Sequence, residues 1–514
     1  MKAFVTTAIL LSSTRRMTER SGSFPPATNR SVCHRRCPAA STGLFTLKLM
    51  KCASGMLAAM AMLFAAPALS AQAPSDIAVV VNKVFGPAMT ANHVPGAVMA
   101  VMRDGRVVDV QAFGVVDASG TPTSANTRFA IGSLTKQFTA AAILMLASEE
   151  KLSLDDRLAR FFPKLPNANL ITLRMLLNQT SGLHNYPLTT EHAWPLFGSI
   201  DPSRLFAFFE EDRPDFAPGT KWEYSNTNYA VLAGIVAQVS HVPYGEFLQG
   251  HIFGPLHMTS TGYGYAVQHG VAQATWQGQW VPATEQLSLD LYYGAGGIVS
   301  TAGDLMRWDA ALMSGTLLDA DAMRAFWSAG HLNDGSPTTY AMGFVPSSVD
   351  GHADVWHNGL APFTGGYCYN AIFPDDRIAV VVLTNAGDPT LDAPVSDVAR
   401  AVFESYVPVT AEPGEDPAVT AMVRSLLAQL RSGIVDRSNL TGAFNNALTA
   451  AFLASTVRPF YEKLGDVVSL TFTSSGPVRH STIYHYHAIF AGGSAHDLEI
   501  CVYQGKVCGF LVTR

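Results

Sequence analysis

Apolar and polar positions divide most of the chain into strand-like and helix-like stretches. Gly96–Met102 and Arg106–Phe113 are apolar, β-branched-rich runs on either side of Asp104-Gly105, which predicts two strands joined by a tight hairpin. Leu134 to Ser148 is apolar nearly all round, as a buried helix requires, and Glu149, Glu150 and Lys151 bring its end to the surface. Asn228–Val239 and Ala302–Met313 predict two further apolar helices. Gly366–Phe373 and Arg377–Asn385 predict strands around the turn Pro374-Asp375-Asp376, and Ala393–Tyr406 predicts a helix after them. Strands therefore bracket a long helical middle, which points to an α+β fold or a mixed sheet flanked by helices.

The pattern breaks at Val407–Pro417, which holds three prolines, one glycine and three acids and reads as a linker. Beyond it, Ala418–Ser432 and Leu440–Leu453 predict helices, and Val467–Phe472, Thr482–Phe490, His496–Tyr503 and Lys506–Val512 predict strands. The expected organisation is a first domain over 76–405, a linker over 406–417 and a small α+β domain over 418–514. At the other end, Met1–Met50 is Ser- and Arg-rich, and Lys51 precedes the apolar stretch Met56–Leu69 and the small-x-small Ala71-Gln72-Ala73. That predicts a leader and cleaved signal peptide over 1–73, read more naturally from Met50, and a periplasmic or secreted product. The apolar stretch is short for a bilayer span, and no later run is long enough for one.

Composition narrows the function classes. In 514 residues, 48% are hydrophobic and 14% charged, enough apolar material for large cores. The net charge of −6, with no long basic run, points away from nucleic acid and anionic membranes as partners. Of the six cysteines, Cys368, Cys501 and Cys508 lie beyond the leader, an odd number that leaves at least one thiol unpaired or bonded between chains. If Gln504-Gly505 is a two-residue turn, Cys501 and Cys508 sit opposite one another on paired strands, within reach of a disulfide. His485 and His487 alternate on one strand and share a face, read here as a solvated one. No cysteine or histidine spacing resembles a zinc site.

Three places carry chemistry. Ser133 stands at a helix start, where amides and the helix dipole favour developing negative charge, and Lys136 lies one turn on along the same face. Burial of that helix disfavours the ammonium, so Lys136 can serve as a base near neutral pH. Ser148-Glu149-Glu150-Lys151 repeats the spacing in an exposed, charged helix end, so context and not spacing selects Ser133. Tyr224 and Asn226, in Tyr224-Ser225-Asn226, precede another apolar helix; a tyrosine near a lysine can hold a lowered pKa and pass protons, and the asparagine amide can orient lysine and substrate. His357-Asn358-Gly359 lies between strand-like segments. His357, partly charged near neutral pH, can hold substrate there. Gly359 lets the strand approach closely, and the N–H of Leu360 can pair with that of Ser133 as an oxyanion hole. Read one at a time, these residues are equally a helix cap, a packed tyrosine and a loop histidine.

Taken in order, Ser133-x-x-Lys136, Tyr224-x-Asn226 and His357-x-Gly359 resemble the three motifs of the serine β-lactamase and penicillin-binding protein superfamily. The branch they resemble is the class C β-lactamase-like one, with its esterases and D-alanyl peptidases. The run Ile171–Leu183, ending in Thr180-Ser181-Gly182-Leu183, and Gly296–Leu305, with Gly296-Gly297 and Ser300-Thr301, resemble two further segments of that family over roughly 76–405. The resemblance implies an antiparallel sheet built from both ends of the domain, a helical subdomain between, and an acyl-enzyme on Ser133 with Lys136 and Tyr224 sharing the base work. It implies a small-molecule or peptide substrate and requires no metal or organic cofactor. Where β-lactamases and penicillin-binding proteins usually carry a lysine in the third motif, this chain has His357, which favours ester or amide hydrolysis over β-lactam hydrolysis. The alternative is a poorly catalytic sensor that captures cell-wall peptides; the absence of a Gly-x-Ser-x-Gly elbow leaves an α/β-hydrolase reading without its nucleophile.

Overall fold

Asp104 and Gly105 both take positive φ, +53° and +73°, the geometry of a two-residue hairpin turn. They join β1 (Gly96–Arg103) to β2 (Arg106–Gly114). The computed structural model describes residues 75–186, 197–349, 351–407, 414–478 and 480–513. The expected leader and half of the linker, residues 408–413, lie outside them.

Four later strands complete the sheet: β3 (Val345–Val349), β4 (His352–Leu360), β5 (Tyr367–Phe373) and β6 (Ile378–Thr384). The order is β2-β1-β6-β5-β4-β3, with every neighbouring pair antiparallel. The pairing of β1 with β6, Ala97 opposite Thr384, ties the two ends of this region together. Both faces of the central strands are covered, so β5 and β6 are buried along their whole length; β6 is apolar up to its final Thr384, whereas Asn370 interrupts β5. On one face Val98, Ala100, Ala379 and Val381 pack with α2 (Thr135–Ser148), α3 (Asn226–Ser240) and α4 (Ala302–Ser314). On the other, Ala97, Met99, Val380 and Val382 pack with Val84 and Ala88 of α1 (Ser75–Ala91) and with Val398 and Val402 of α5 (Asp392–Tyr406). The architecture is α+β, with an antiparallel sheet flanked by helices and a helical region between β2 and β3.

After α5 the chain forms α6 (Pro417–Ser432), which Asp416 caps by accepting from the Ala418 amide at 2.9 Å. A four-stranded antiparallel sheet follows, β7 (Val467–Val478), β8 (Ser481–Phe490), β9 (Ala495–Tyr503) and β10 (Lys506–Thr513), in that order. It has its own core, including Val423, Leu427, Phe472, Tyr486 and Ile500. The single helix expected over Leu440–Leu453 is broken into Gly442–Ala447 and Ala450–Phe452, because Thr441 and Thr449 each cap a fresh start. Arg458–Leu464 is a helix that the pattern did not announce.

Cys501 and Cys508 are joined in a disulfide, with Cα atoms 5.1 Å apart. They are not directly opposite: a bulge between Cys501 and Val502 shifts the ladder so that Cys501 faces Gly509. Cys368 is a free, buried thiol that burial pushes up to about 12. The solvated face expected for His485 and His487 fails for His487, which is buried against α5. There His487 Nε2 lies 3.1 Å from Glu404 Oε2 and Nδ1 lies 2.9 Å from Asp497 Oδ1. Among the described residues no helix is long and apolar enough to cross a membrane.

One buried polar pair sits where α4 crosses β5. Asn370 donates to Asp309 Oδ1 at 2.9 Å, and the remaining oxygens, Asp309 Oδ2 and Asn370 Oδ1, are buried without a partner. Burial pushes the Asp309 carboxyl up to about 8, so below that pH it carries a proton and can donate as well as accept. Unfolding releases that proton once the pH exceeds the ordinary aspartate value of 3.8, so this group makes stability fall from about pH 4 to about pH 8 and adds no slope above that. Asp309→Asn supplies a permanent donor in place of the proton. The variant is expected to match the parent in midpoint near pH 4, exceed it near pH 8, and flatten the slope between; urea unfolding at both pH values checks this.

Candidate active site

Ser133 lies in the 3₁₀ turn Gly132–Leu134, between the short strand Phe129–Ala130 and the first residue of α2. That turn is pressed against β4 more closely than side chains allow. Gly132 has φ +52°, and a Cβ there would lie 2.8 Å from the backbone of Leu360. A Cβ on Gly359 would lie 2.0 Å from the Ile131 carbonyl oxygen and 3.3 Å from the Ser133 nitrogen. The Leu360 amide is turned toward the same place. Ala361 N–H donates to Gly366, so Leu360, one residue back, holds a position whose N–H points away from β5. The expected pair of amides, Ser133 and Leu360, is thus brought together by two glycines.

Lys136 is fully buried, and its Nζ makes three contacts: Ser133 Oγ at 3.0 Å, Asn226 Oδ1 at 2.8 Å and the Ala295 carbonyl at 2.8 Å. Burial pushes its pKa well below that of an ordinary lysine. A neutral amine has two protons and one lone pair. Asn226 Oδ1 and Ala295 O take the protons, which leaves the lone pair for the hydroxyl proton of Ser133. Tyr224 donates to the same Ser133 oxygen at 2.9 Å, and its ring lies 4.8 Å from Lys136 Nζ. The second Ser-x-x-Lys places Lys151 in solvent, ion-paired with Glu149 at 2.6 Å.

Two expectations are corrected. The lowered pKa anticipated for Tyr224 is reversed: burial raises it, and no cation offsets that because Lys136 itself is driven toward neutrality. Tyr224 is therefore held as a phenol that donates to Ser133. His357 is not partly charged. It is buried beside Lys136, and desolvation brings it down to about 3. Its Nε2 lies 2.9 Å from the hydroxyl of Tyr340, and its Nδ1 contacts the Asn358 carbonyl.

Sequence reasoning missed Tyr340, whose ring lies 6.0 Å from that of Tyr224 and 5.7 Å from that of His357. The available signal was Gly343, flanked by Tyr340 and Phe344 just before a strand. A Cβ at Gly343 would lie 2.9 Å from the Lys136 backbone, so this loop packs on the start of α2. Also missed was the carbonyl of Ala295, delivered by the Gly-rich turn before the strand Ile298–Ser300. Behind the site, Gln179 Oε1 accepts from Asn228 at 2.6 Å and from the Ser225 amide at 3.1 Å, which fixes the segment carrying Tyr224 and Asn226.

Comparisons with known proteins agree with this geometry. A family model described as Beta-lactamase matches residues 81–405. A chain of Bacillus subtilis (strain 168) assigned by name to the penicillin-binding proteins, PbpX, is 32% identical over 300 residues, 55% of this chain and 69% of its own length. Among solved structures, a D-amino acid amidase from Ochrobactrum anthropi SV3 superposes with a TM-score of 0.55 at 22% identity, covering 65% of this chain and 99% of that one. A D-stereospecific amidohydrolase from Streptomyces sp. does so with a TM-score of 0.52 at 25% identity, covering 65% and 99%. By the family match and by its fold, this chain belongs to the beta-lactamase family of serine hydrolases.

Proposed function

We propose that the protein, exported through its leader, hydrolyses an ester or amide by way of an acyl-enzyme on Ser133. The observation that carries this reading is the hydrogen-bond chain from Tyr224 to Ser133 to a buried Lys136. In the first step Ser133 Oγ attacks the acyl carbon while its proton passes to Lys136 Nζ. The amides of Ser133 and Leu360 hold the oxyanion. As the intermediate collapses, the leaving alkoxide or amine takes a proton from Tyr224, and the neighbouring Lys136 ammonium returns one to Tyr224. Water then enters where the leaving group stood, and the same groups act in reverse to release the acid. The penicillin-binding name of one relative and the amidase titles of the structural neighbours support an acyl-transfer substrate for this chain.

The reading is tested with a short-chain p-nitrophenyl ester and intact-mass detection of the acyl adduct. Ser133→Ala is expected to lose both turnover and adduct, and Lys136→Ala to lose roughly 100- to 10,000-fold in kcat/KM. An adduct that persists in Ser133→Ala overturns the assignment of the nucleophile.

The pH profile provides a separate check. Lys136 works as the neutral amine, so activity is present above its folded pKa and lost as the pH falls through it. Because burial depresses that pKa, kcat/KM is expected to level off well below the pH at which an ordinary lysine titrates. A rate that keeps climbing tenfold per pH unit from 7 to 10 shows an ordinary lysine and contradicts the reading.

A further inference from the structure

The third motif is saturated from within. His357 Nδ1 faces the Asn358 carbonyl, which can only accept, so Nδ1 carries the ring proton. A neutral ring then has Nε2 as its acceptor, and that nitrogen is filled by the hydroxyl of Tyr340 at 2.9 Å. Neither nitrogen is left to donate to a substrate. The ring also sits among aromatics, 6.1 Å from Tyr224 and 5.7 Å from Tyr340, and Trp222 packs 6.2 Å from Tyr340. The amine that could serve instead, on Lys136, is buried, driven toward neutrality, and spends its two protons on Asn226 and Ala295. Desolvation acts against a charge on His357.

We propose that Tyr340 is a specificity-determining residue: by occupying His357 Nε2 it leaves the third motif with neither a cation nor a free donor, and so directs the site to acyl compounds whose leaving group carries no carboxylate. This rests on the hydrolase reading above and narrows its substrate class to neutral esters and amides. A carboxylate brought to the His357 ring loses its hydration and gains no partner from it, a cost that falls on binding and hence on KM.

Two measurements on the full chain test it. The first compares 3-acetoxybenzoate with its methyl ester, which share the acetyl group and differ in a leaving-group carboxylate. The parent protein is expected to favour the methyl ester by at least tenfold in kcat/KM, mainly through KM. In Tyr340→Phe, where Nε2 is released to carry a proton, that ratio is expected to shrink. Equal use of the two esters, or a ratio unchanged by Tyr340→Phe, overturns the proposal. The second is long-range ¹⁵N NMR of the histidine rings, with His357 assigned by its loss in His357→Gln. One protonated and one bare nitrogen from pH 5.5 to 8 is expected, and an imidazolium in that range overturns the proposal without any reference to turnover. If neither ester is hydrolysed in a Ser133-dependent way, the hydrolase reading fails, and the ring spectrum still decides whether His357 is held neutral.

Discussion

The amine of Lys136 is held without water at the buried start of a helix, and much of the surrounding structure follows from that requirement. A charged amine there would be very costly, so it must be neutral, and its protons need acceptors placed within hydrogen-bond reach. Asn226 supplies one from the first residue of α3, and Ala295 supplies the other from the turn before Ile298–Ser300. For the amine to stay dry, α2 must be enclosed on all sides, and its residues from Thr135 to Leu144 are all buried. An all-round apolar helix and a lysine near its N-terminus are thus two aspects of one constraint.

The second constraint is how closely backbones approach. An oxyanion needs two amides a few ångströms apart, and here they come from a 3₁₀ turn and a sheet strand more than two hundred residues later in sequence. Gly132 and Gly359 remove the side chains that would hold the two apart. The antiparallel closure of β1 on β6 holds the sheet in register, so that β4 can be pressed against the Ser133 turn. The geometry of the site is therefore fixed by the sheet, although the reactive atoms sit on the helical side.

Polar groups are also buried well away from the chemistry. Asp309 and Asn370 share one hydrogen bond, and burial holds a proton on the carboxyl. His487 lies between Glu404 on α5 and Asp497 on the neighbouring strand, and its hydrogen bond holds the Asp497 carboxyl below its usual value. The Glu404 contact crosses from the C-terminal sheet to the last helix of the hydrolase region, so it links the two by a directional polar contact in addition to apolar packing by Ile489 and Ala495.

The sequence by itself determined the elements and the order of the motifs. Asp104-Gly105 and the flanking apolar runs specified a hairpin, and the apolar helix after Ser133 distinguished it from the exposed copy at Ser148. What it could not set was each side chain's electrostatic state. Tyr224 and His357 were assigned by residue type, as a tyrosine with a lowered pKa and a partly charged histidine, whereas burial raises the first and neutralises the second. Tyr340 carried no motif of its own, because its importance lies in reaching His357 across a loop. Likewise Thr449 looked like part of a helix until its capping role broke Leu440–Leu453, and a bulge moved Cys501 off the register its turn implied. Local pattern is set by neighbours in the chain, and so it was legible; desolvation, hydrogen-bond partners and exact register depend on neighbours in space, which only the tertiary structure decides.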